Sequence, residues 1–178
     1  NGYYNYTDTN PRNGHVNGIN HAKPELVITG GTFSGGLNTV KNDDGAKLTI
    51  VDGTFENTKQ AAVMNWNEAT IKGGSFSVQE SAGSVLVNGS NGANTVDQGV
   101  LTIEGGTFTI PSGKPIISIN QSGKPAEAKT TVKGGSYSSS VAKYADPNLN
   151  FEAKDSNGIC TYHSTVEDAL DAAGINGT

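Results

Sequence analysis

The sequence is poor in cysteine, in arginine and in charged residues generally. Cys160 is the only cysteine, which excludes an internal disulfide and any CxxC metal site. Charged residues make up 16% of the 178 residues and leave a net charge of −5 at pH 7. We therefore expect no nucleic-acid partner, because no broad basic surface can neutralise phosphates. No apolar run approaches the roughly 20 residues of a membrane-spanning helix, so no membrane insertion is expected either.

Glycine and small polar residues are abundant instead. The chain has 24 Gly, 19 Asn, 18 Thr and 15 Ser, whereas all hydrophobic residues together make up 34%. This composition has too little Leu, Ala and Met for a helical bundle. Val, Ile and Thr nevertheless recur in short clusters, which is typical of strands rather than of a disordered chain. The composition therefore predicts an all-β fold with many turns.

One motif recurs five times along the chain. Its copies are LVITGGTFS (Leu26–Ser34), LTIVDGTFE (Leu48–Glu56), ATIKGGSFS (Ala69–Ser77), LTIEGGTFT (Leu101–Thr109) and TTVKGGSYS (Thr130–Ser138). Successive aromatic residues of the motif are separated by 22, 21, 32 and 29 residues. The first two intervals match one coil of a β-solenoid, and the last two match the same coil with an inserted loop. The Gly-Gly or Asp-Gly pair predicts a sharp turn, where glycine can adopt a positive φ.

A second strand that ends in asparagine closes each coil. Asparagine tolerates left-handed backbone and bonds to neighbouring backbone, so we predict a structural ladder of amides at one buried corner. The predicted ladder consists of Asn20, Asn42, Asn65, Asn88 and Asn120. The predicted aromatic stack consists of Phe33, Phe55, Phe76, Phe108 and Tyr137. Period-two alternation predicts three further inward columns. They are Ile28, Ile50, Ile71, Ile103 and Val132; Leu26, Leu48, Ala69, Leu101 and Thr130; and Val40, Val63, Leu86 and Ile117.

The repeated xTIxGGTFS unit resembles the repeats of parallel β-helix (pectin-lyase-like) modules in surface proteins of gut-type Gram-positive bacteria. The stretch GGSYSSSVAKYADPNLNFEAKDSNGICTY resembles the closing segment of those modules. The resemblance implies a single-stranded parallel β-helix, that is a β-solenoid, of about five to six coils. A right-handed coil is implied by the family and by the crossover rule. The resemblance does not indicate one activity, because such modules occur in adhesins, stalks, phage fibres and enzymes.

The two ends of the chain depart from the repeat and divide it into three parts. Residues 1–14 are predicted to form an N-terminal arm or cap, 15–140 the parallel β-helix, and 141–178 a C-terminal cap. The chain begins with asparagine rather than methionine, which indicates a piece of a longer protein with flanking domains.

The C-terminal cap is predicted to hold a hairpin and a short helix. Phe151–Lys154 and Ile159–Tyr162 flank DSNG, a plausible hairpin turn. STVEDALDAAG predicts a helix with Ser164 or Thr165 as its N-cap and with Gly174 as its stop.

No constellation of residues predicts catalysis. Polysaccharide lyases on this fold combine carboxylates, Ca²⁺ and a basic residue, but the single arginine, Arg12, lies in the N-terminal arm. The acidic residues fall in turns and loops without a pairing signal. The three histidines are too scattered for a metal site. We therefore expect no enzyme activity, no metal and no cofactor.

Binding residues are predicted at the corner where two inserted loops follow Asn88 and Asn120. Loops on a rigid scaffold favour binding, and these two emerge from the same edge. The outward row Lys41, Met64, Val87 and Ile119, with Trp66 beside it, is either an exposed contact surface or is covered by a cap or by the loops. An aromatic ring and amides suit a shallow carbohydrate site. The candidate ligand contacts are Trp66, Met64, Asn91, Asn94, Asp97 and Gln121.

These observations together predict a non-catalytic extracellular or cell-surface module of a bacterial protein. Its role would be that of an adhesin or stalk element that presents loops to a glycan or to a host surface protein. Two alternatives stay open at this point: a carbohydrate-binding or polysaccharide-degrading β-helix module, and a phage fibre or capsid-decoration domain. The oligomeric state would separate the last of these from a monomeric stalk.

Overall fold

A computed structural model of the chain describes residues 24–43, 46–89, 99–120 and 128–174. These residues form an all-β structure of sixteen short strands with one 3₁₀ turn, Ala142–Tyr144, and one helix, α1, Val166–Ala173. The first six strands are β1 Glu25–Ile28, β2 Thr32–Ser34, β3 Asn38–Asn42, β4 Lys47–Ile50, β5 Thr54–Asn57 and β6 Ala61–Asn65. The next six are β7 Glu68–Ile71, β8 Ser75–Val78, β9 Leu86–Asn88, β10 Val100–Ile103, β11 Thr107–Thr109 and β12 Ile117–Ile119. The last four are β13 Lys129–Val132, β14 Ser136–Tyr137, β15 Phe151–Lys154 and β16 Cys160–His163.

Strands β1 to β14 are distributed over three sheets in rotation, and β15 and β16 both add to the second sheet. The first sheet has the order β1-β4-β7-β10-β13, and the third has the order β12-β9-β6-β3. The second sheet has the order β15-β16-β14-β11-β8-β5-β2. Each of the first four sequence repeats therefore gives one strand to each sheet, and its strands pair in parallel with the equivalent strands of neighbouring repeats. The described residues hold four complete repeats and a fifth that contributes β13 and β14.

The strands stack in register, so equivalent residues of successive repeats lie opposite one another. Ile28 lies opposite Ile50, and Ile50 lies opposite Ile71. Val63 lies opposite both Val40 and Leu86. The three inward columns predicted above are confirmed by these registers, and their middle members are at most 1% exposed. A single repeat has no hydrophobic core of its own, and stacking creates one.

The aromatic residues of the motif form a continuous stack through the core. Ring centroids of successive residues, from Phe33 to Tyr137, lie 4.8 to 5.1 Å apart with interplanar angles of 6–7°. That spacing follows from the 4.7–4.9 Å distance between paired strands. The turn before each ring needs glycine: Gly74 has φ +104°, and a β-carbon there would lie 2.8 Å from the carbonyl oxygen of Gly53. The predicted positive-φ turn is therefore confirmed at this position.

Three of the predicted asparagines form a hydrogen-bonded stack that fits an asparagine ladder. Asn42 Nδ2 donates to Asn65 Oδ1, and Asn65 Nδ2 donates to Asn88 Oδ1, both at 2.8 Å. All three side chains are at most 1% exposed. Each amide nitrogen also donates to main-chain carbonyls, as Asn65 does to Asn67 and Val100. The ladder therefore satisfies buried carbonyls at the corner between the third and first sheets.

The ladder ends at Asn88, which corrects the prediction for Asn120. Register places Ile119, not Asn120, opposite Asn88. The amide of Asn88 bonds instead to the main-chain oxygen of Lys129 at 3.0 Å and to Thr130 Oγ1 at 2.9 Å. Ile117 takes the inward position opposite Leu86, and Ser118 takes the outward position opposite Val87. Asn120 therefore lies one residue beyond the position that a ladder residue would need. Asn20 lies outside the described residues.

A fourth buried asparagine, Asn57, lies at the opposite corner, and the sequence did not predict it. It is 1% exposed and donates from Nδ2 to the carbonyl oxygen of Gly35 at 3.0 Å. Its Oδ1 accepts from the main-chain nitrogens of Lys59 and Gln60. Asn57 lies opposite Val78 in the next repeat, and Gly35, which follows Ser34, stands at the same place in the preceding repeat. No repeated asparagine therefore predicted it.

The C-terminal cap contains the predicted hairpin and helix. Strands β15 and β16 pair antiparallel, and β16 pairs antiparallel with β14. Tyr162 sets its ring edge-on to Tyr137 at 5.9 Å and accepts a hydrogen bond from Val141 N at 2.7 Å. Thr165 caps α1 by accepting from the main-chain nitrogen of Asp168, and Gly174 ends the helix. The cap thus closes the last ring of the aromatic stack.

We predict that Asn65→Ala lowers the free energy of unfolding by about 3 kcal/mol, because several buried partners lose their hydrogen bonds together. Urea denaturation followed by circular dichroism would measure the change. Asn150→Ala is the matched control, since Asn150 is exposed. Equal stability of the two variants would show that the ladder contributes nothing to the fold.

Candidate functional site

The predicted contact residue Met64 belongs to a small apolar cluster on the outer side of the third sheet. Ala61, Met64 and Val87 pack together, and the half-buried Trp66 packs against them. Met64 is 5% and Val87 is 8% exposed. Burial of Met64 and Val87 supports the interpretation in which this part of the row is covered, whereas Ile119 is 36% exposed. Met64 therefore has little surface to offer a ligand.

One face of the Trp66 indole ring is in contact with the side chain of Lys41. The ammonium nitrogen of Lys41 lies 3.6 Å from the centre of the indole ring, and the same nitrogen forms an ion pair with Asp43 at 2.8 Å. A cation over the indole face is held by the ring quadrupole. A sugar ring that stacked on this face would have to displace Lys41.

The other candidate contacts, Asn91, Asn94, Asp97 and Gln121, lie outside the described residues. The ends of the two inserted segments are described, and they lie side by side. Asn120 N donates to the carbonyl of Asn88 at 2.8 Å, where both segments leave the third sheet. Lys129 N donates to the carbonyl of Gly99 at 2.8 Å, where both segments enter the first sheet. The predicted shared edge is therefore supported by the placement of the loop ends.

The ladder asparagines clamp this corner whatever the length of the connection. Asn42 Nδ2 bonds to the carbonyl of Ala46, which is four residues on. Asn65 reaches the carbonyl of Asn67, two residues on, and Asn88 reaches that of Gly99, eleven residues on. The amide thus joins the end of one strand to the start of the next across the loop. The corner accepts insertions because its geometry does not depend on them.

A polar groove of about 870 Å³, hereafter the glycine groove, runs along the turns between the first and second sheets. Its floor consists of the paired turn residues, from Gly30 and Gly31 in the first repeat to Gly135 in the fifth. One wall carries a row of hydroxyl groups. The row consists of Thr32, Thr54, Ser75, Thr107 and Ser136. Thr161, Tyr162 and His163 of β16 line its C-terminal end.

Steric constraints exclude side chains from the floor of the glycine groove in three of its five repeats. A β-carbon at Gly73, Gly105 or Gly134 would lie within 2.5–2.7 Å of a main-chain oxygen of the preceding repeat. Asp52 stands at this position in the second repeat and turns its carboxylate to the main-chain nitrogen of Gly53 at 2.8 Å. The groove therefore presents hydroxyls, backbone and one carboxylate, which suits hydrogen bonding to a polyhydroxylated ligand. The motif places a glycine pair next to a threonine or serine, but the sequence alone does not show that stacked turns form a groove.

The most buried titratable groups are structural. Cys160 is 2% exposed, and burial raises the pKa of its thiol to about 11. Burial also raises the pKa of Tyr137 and of Tyr162. Tyr137 donates from its hydroxyl to the carbonyl of Gly134 at 2.6 Å. A thiol held in its protonated form is a poor nucleophile.

The described residues contain neither a metal cluster nor a membrane-spanning helix. No group of three or more His, Cys, Asp or Glu side chains in the described ranges is arranged to hold a metal ion. The part of the chain that the structure describes also has no helix long and apolar enough to cross a membrane. Comparison with protein-family models, with curated proteins and with solved structures finds no match.

We predict that the folded protein does not react with a thiol reagent at neutral pH and reacts fully once unfolded, because Cys160 is both protonated and inaccessible. Absorbance of the released thiolate from a chromogenic disulfide reagent, with and without denaturant, would test this. Rapid reaction of the native protein would contradict the burial of the thiol.

Proposed function

We propose that this chain is a right-handed parallel β-helix and serves as a non-catalytic module of an extracellular bacterial surface protein. In this role it is an adhesin or stalk element that holds loops for contact with a glycan or a host surface protein. The resemblance of its repeats to surface modules supports the setting, and the rotation of strands over three in-register sheets supports the β-helix. Flanking domains of a longer chain would continue the stalk.

The placement of the loop ends is the observation that carries the proposal. The inserted segments begin at Asn88 and Asn120 and end at Gly99 and Lys129, and each pair of ends is joined by a main-chain hydrogen bond. The ladder side chains beside these loop ends, Asn65 and Asn88, are at most 1% exposed. A rigid corner that carries two long insertions is typical of a surface that presents binding residues.

Shortening the first loop tests the proposal. Deleting residues 90–98 keeps Gly89, where a β-carbon would clash with the carbonyl of Asn120, and reproduces the two-residue spacing from Asn65 to Asn67, over which the amide clamp still closes. We expect the melting temperature to be retained and binding to be lost. The measurement is binding to an array of immobilised mammalian glycans and extracellular-matrix proteins.

Glu80→Ala, at the opposite corner, is the control and is expected to bind as the intact protein does. Binding by the shortened variant at the level of the intact protein would contradict the assignment of contact to this loop.

The glycine groove favours a second candidate function, the binding of a linear polysaccharide along the stack. The groove crosses all five repeats, so its hydroxyls recur at the strand spacing of about 4.8 Å. The exposed hydroxyls of Thr32 and Thr107 are uncharged groups that can form hydrogen bonds with the hydroxyls of a sugar. This candidate places the ligand on a different face from the loop corner, and the two are separable by mutation.

We predict that Thr107→Trp abolishes binding of a linear polysaccharide in the glycine groove, because the indole fills the groove. Affinity electrophoresis in gels that contain pectin, xylan or mucin would measure it. Thr109→Trp is the matched control, since Thr109 is exposed on the same strand but does not line the groove. Equal retardation of both variants and the intact protein would contradict a ligand in the groove.

A further inference from the structure

The described residues contain two Asn-Gly pairs in very different surroundings. They are Asn88–Gly89, at the end of the ladder, and Asn157–Gly158, in the turn of the C-terminal hairpin. In such a pair the main-chain nitrogen of glycine can attack the asparagine side-chain carbon Cγ. Glycine favours this attack because no β-carbon blocks the approach and its backbone rotates freely.

The ladder holds Asn88–Gly89 in an unreactive arrangement. The leaving nitrogen, Nδ2 of Asn88, donates to three oxygen atoms, those of Gly99, Lys129 and Thr130. The attacking nitrogen, that of Gly89, donates to the carbonyl of Asn65 at 2.8 Å. Both residues are buried, and the carbonyl of Asn120 leaves no room beside the α-carbon of Gly89. Reaction here requires the stack to open first.

Asn157–Gly158 lacks these restraints. Asn157 is exposed, and its Nδ2 has one contact, 3.5 Å from Asp155 Oδ2. The nitrogen of Gly158 donates to the carbonyl of Asp155 at 3.0 Å across the turn, a half-exposed bond that opens locally. Gly158 has φ +81°, and the nearest atom to a β-carbon there would be Lys154 Cε at 3.7 Å. Space for a five-membered ring is therefore available.

We propose that Asn157–Gly158 is a site of spontaneous backbone modification that needs only water. The Gly158 nitrogen loses its proton to solvent and bonds to Cγ of Asn157. The Cγ–Nδ2 bond breaks, and the departing nitrogen takes up a proton and leaves as ammonia. Water then opens the succinimide ring at one of its two carbonyls, which gives aspartate or isoaspartate. No oxidant, reductant or metal takes part.

Isoaspartate at residue 157 would loosen the C-terminal cap. It adds one carbon to the main chain inside a turn that Asp155 organises. Asp155 Oδ1 accepts from the nitrogens of Asn157 and Ile159, both at 2.8 Å. A longer backbone breaks this arrangement and the pairing of Lys154 with Cys160 next to it. Because β16 carries Tyr162, the modification reaches the residue that closes the aromatic stack.

Peptide mapping with isoaspartate detection, on folded protein aged in mildly alkaline buffer, tests the site. We expect Asn157 to convert faster than Asn88 by on the order of tenfold or more, because Asn88 must first be released from the stack. In denaturant the two rates should converge. Asn150, which is exposed but precedes Phe151, is the internal control and should convert more slowly than Asn157. Equal rates at Asn157 and Asn88 in the folded protein, or at Asn157 and Asn150, would overturn the proposal.

Hydrogen exchange tests the consequence for the cap. Aged intact protein should exchange the amides of residues 151–163 faster than aged Asn157→Gln, which cannot close a five-membered ring. The two fresh proteins should exchange alike, since residue 157 is exposed in both. Identical exchange after ageing, with isoaspartate present at residue 157, would refute the loosening of the cap.

Discussion

The fold depends on one constraint: each residue is paired with its equivalent one repeat away, at the distance between two strands. In-register parallel pairing sets equivalent positions of successive repeats on one another, so the repeated core positions are occupied by side chains that stack on similar ones. Flat rings, branched aliphatic chains and amides meet this demand in different ways. Rings such as Phe55 and Phe76 lie nearly parallel, and the amides of Asn42 and Asn65 bond head to tail. A charge has no such solution in the core, because like charges would lie one strand spacing apart.

The same constraint explains what could be predicted from the sequence. Motif spacing gave the aromatic stack, the inward columns and three members of the ladder, because those features repeat. Asn120 was misplaced because its strand, Ile117–Ile119, is apolar at alternate positions. Aligning Asn120 with Asn88 suggests one register and aligning Ile117 with Leu86 suggests another, and the structure has the second. Asn57 was missed since it satisfies a single turn and has no counterpart in the other repeats.

The candidate sites were less predictable than the core, for a related reason. The glycine groove is formed by the turns of five successive repeats together, so no single position in the sequence reveals it. The hydroxyls of the glycine groove therefore looked like ordinary solvent-facing residues of a strand. Likewise, the alternation of inward and outward residues predicted that Met64 points outward, but not that Val87 and Trp66 pack against it. The loop corner was predictable because its two insertions follow the same repeated strand, and strand order alone brings their ends together.

The antiparallel strand β16 has a consequence for the length of the stack. A repeat added to β14 would need a strand that runs in the same direction, as β11 does on the other side. The hairpin occupies that edge with opposite polarity, and it pairs through a single register position, Tyr137 with Cys160. Parallel growth is thereby stopped at the second sheet without any change in the preceding repeats. The hairpin blocks this edge of the second sheet whatever the number of repeats before it.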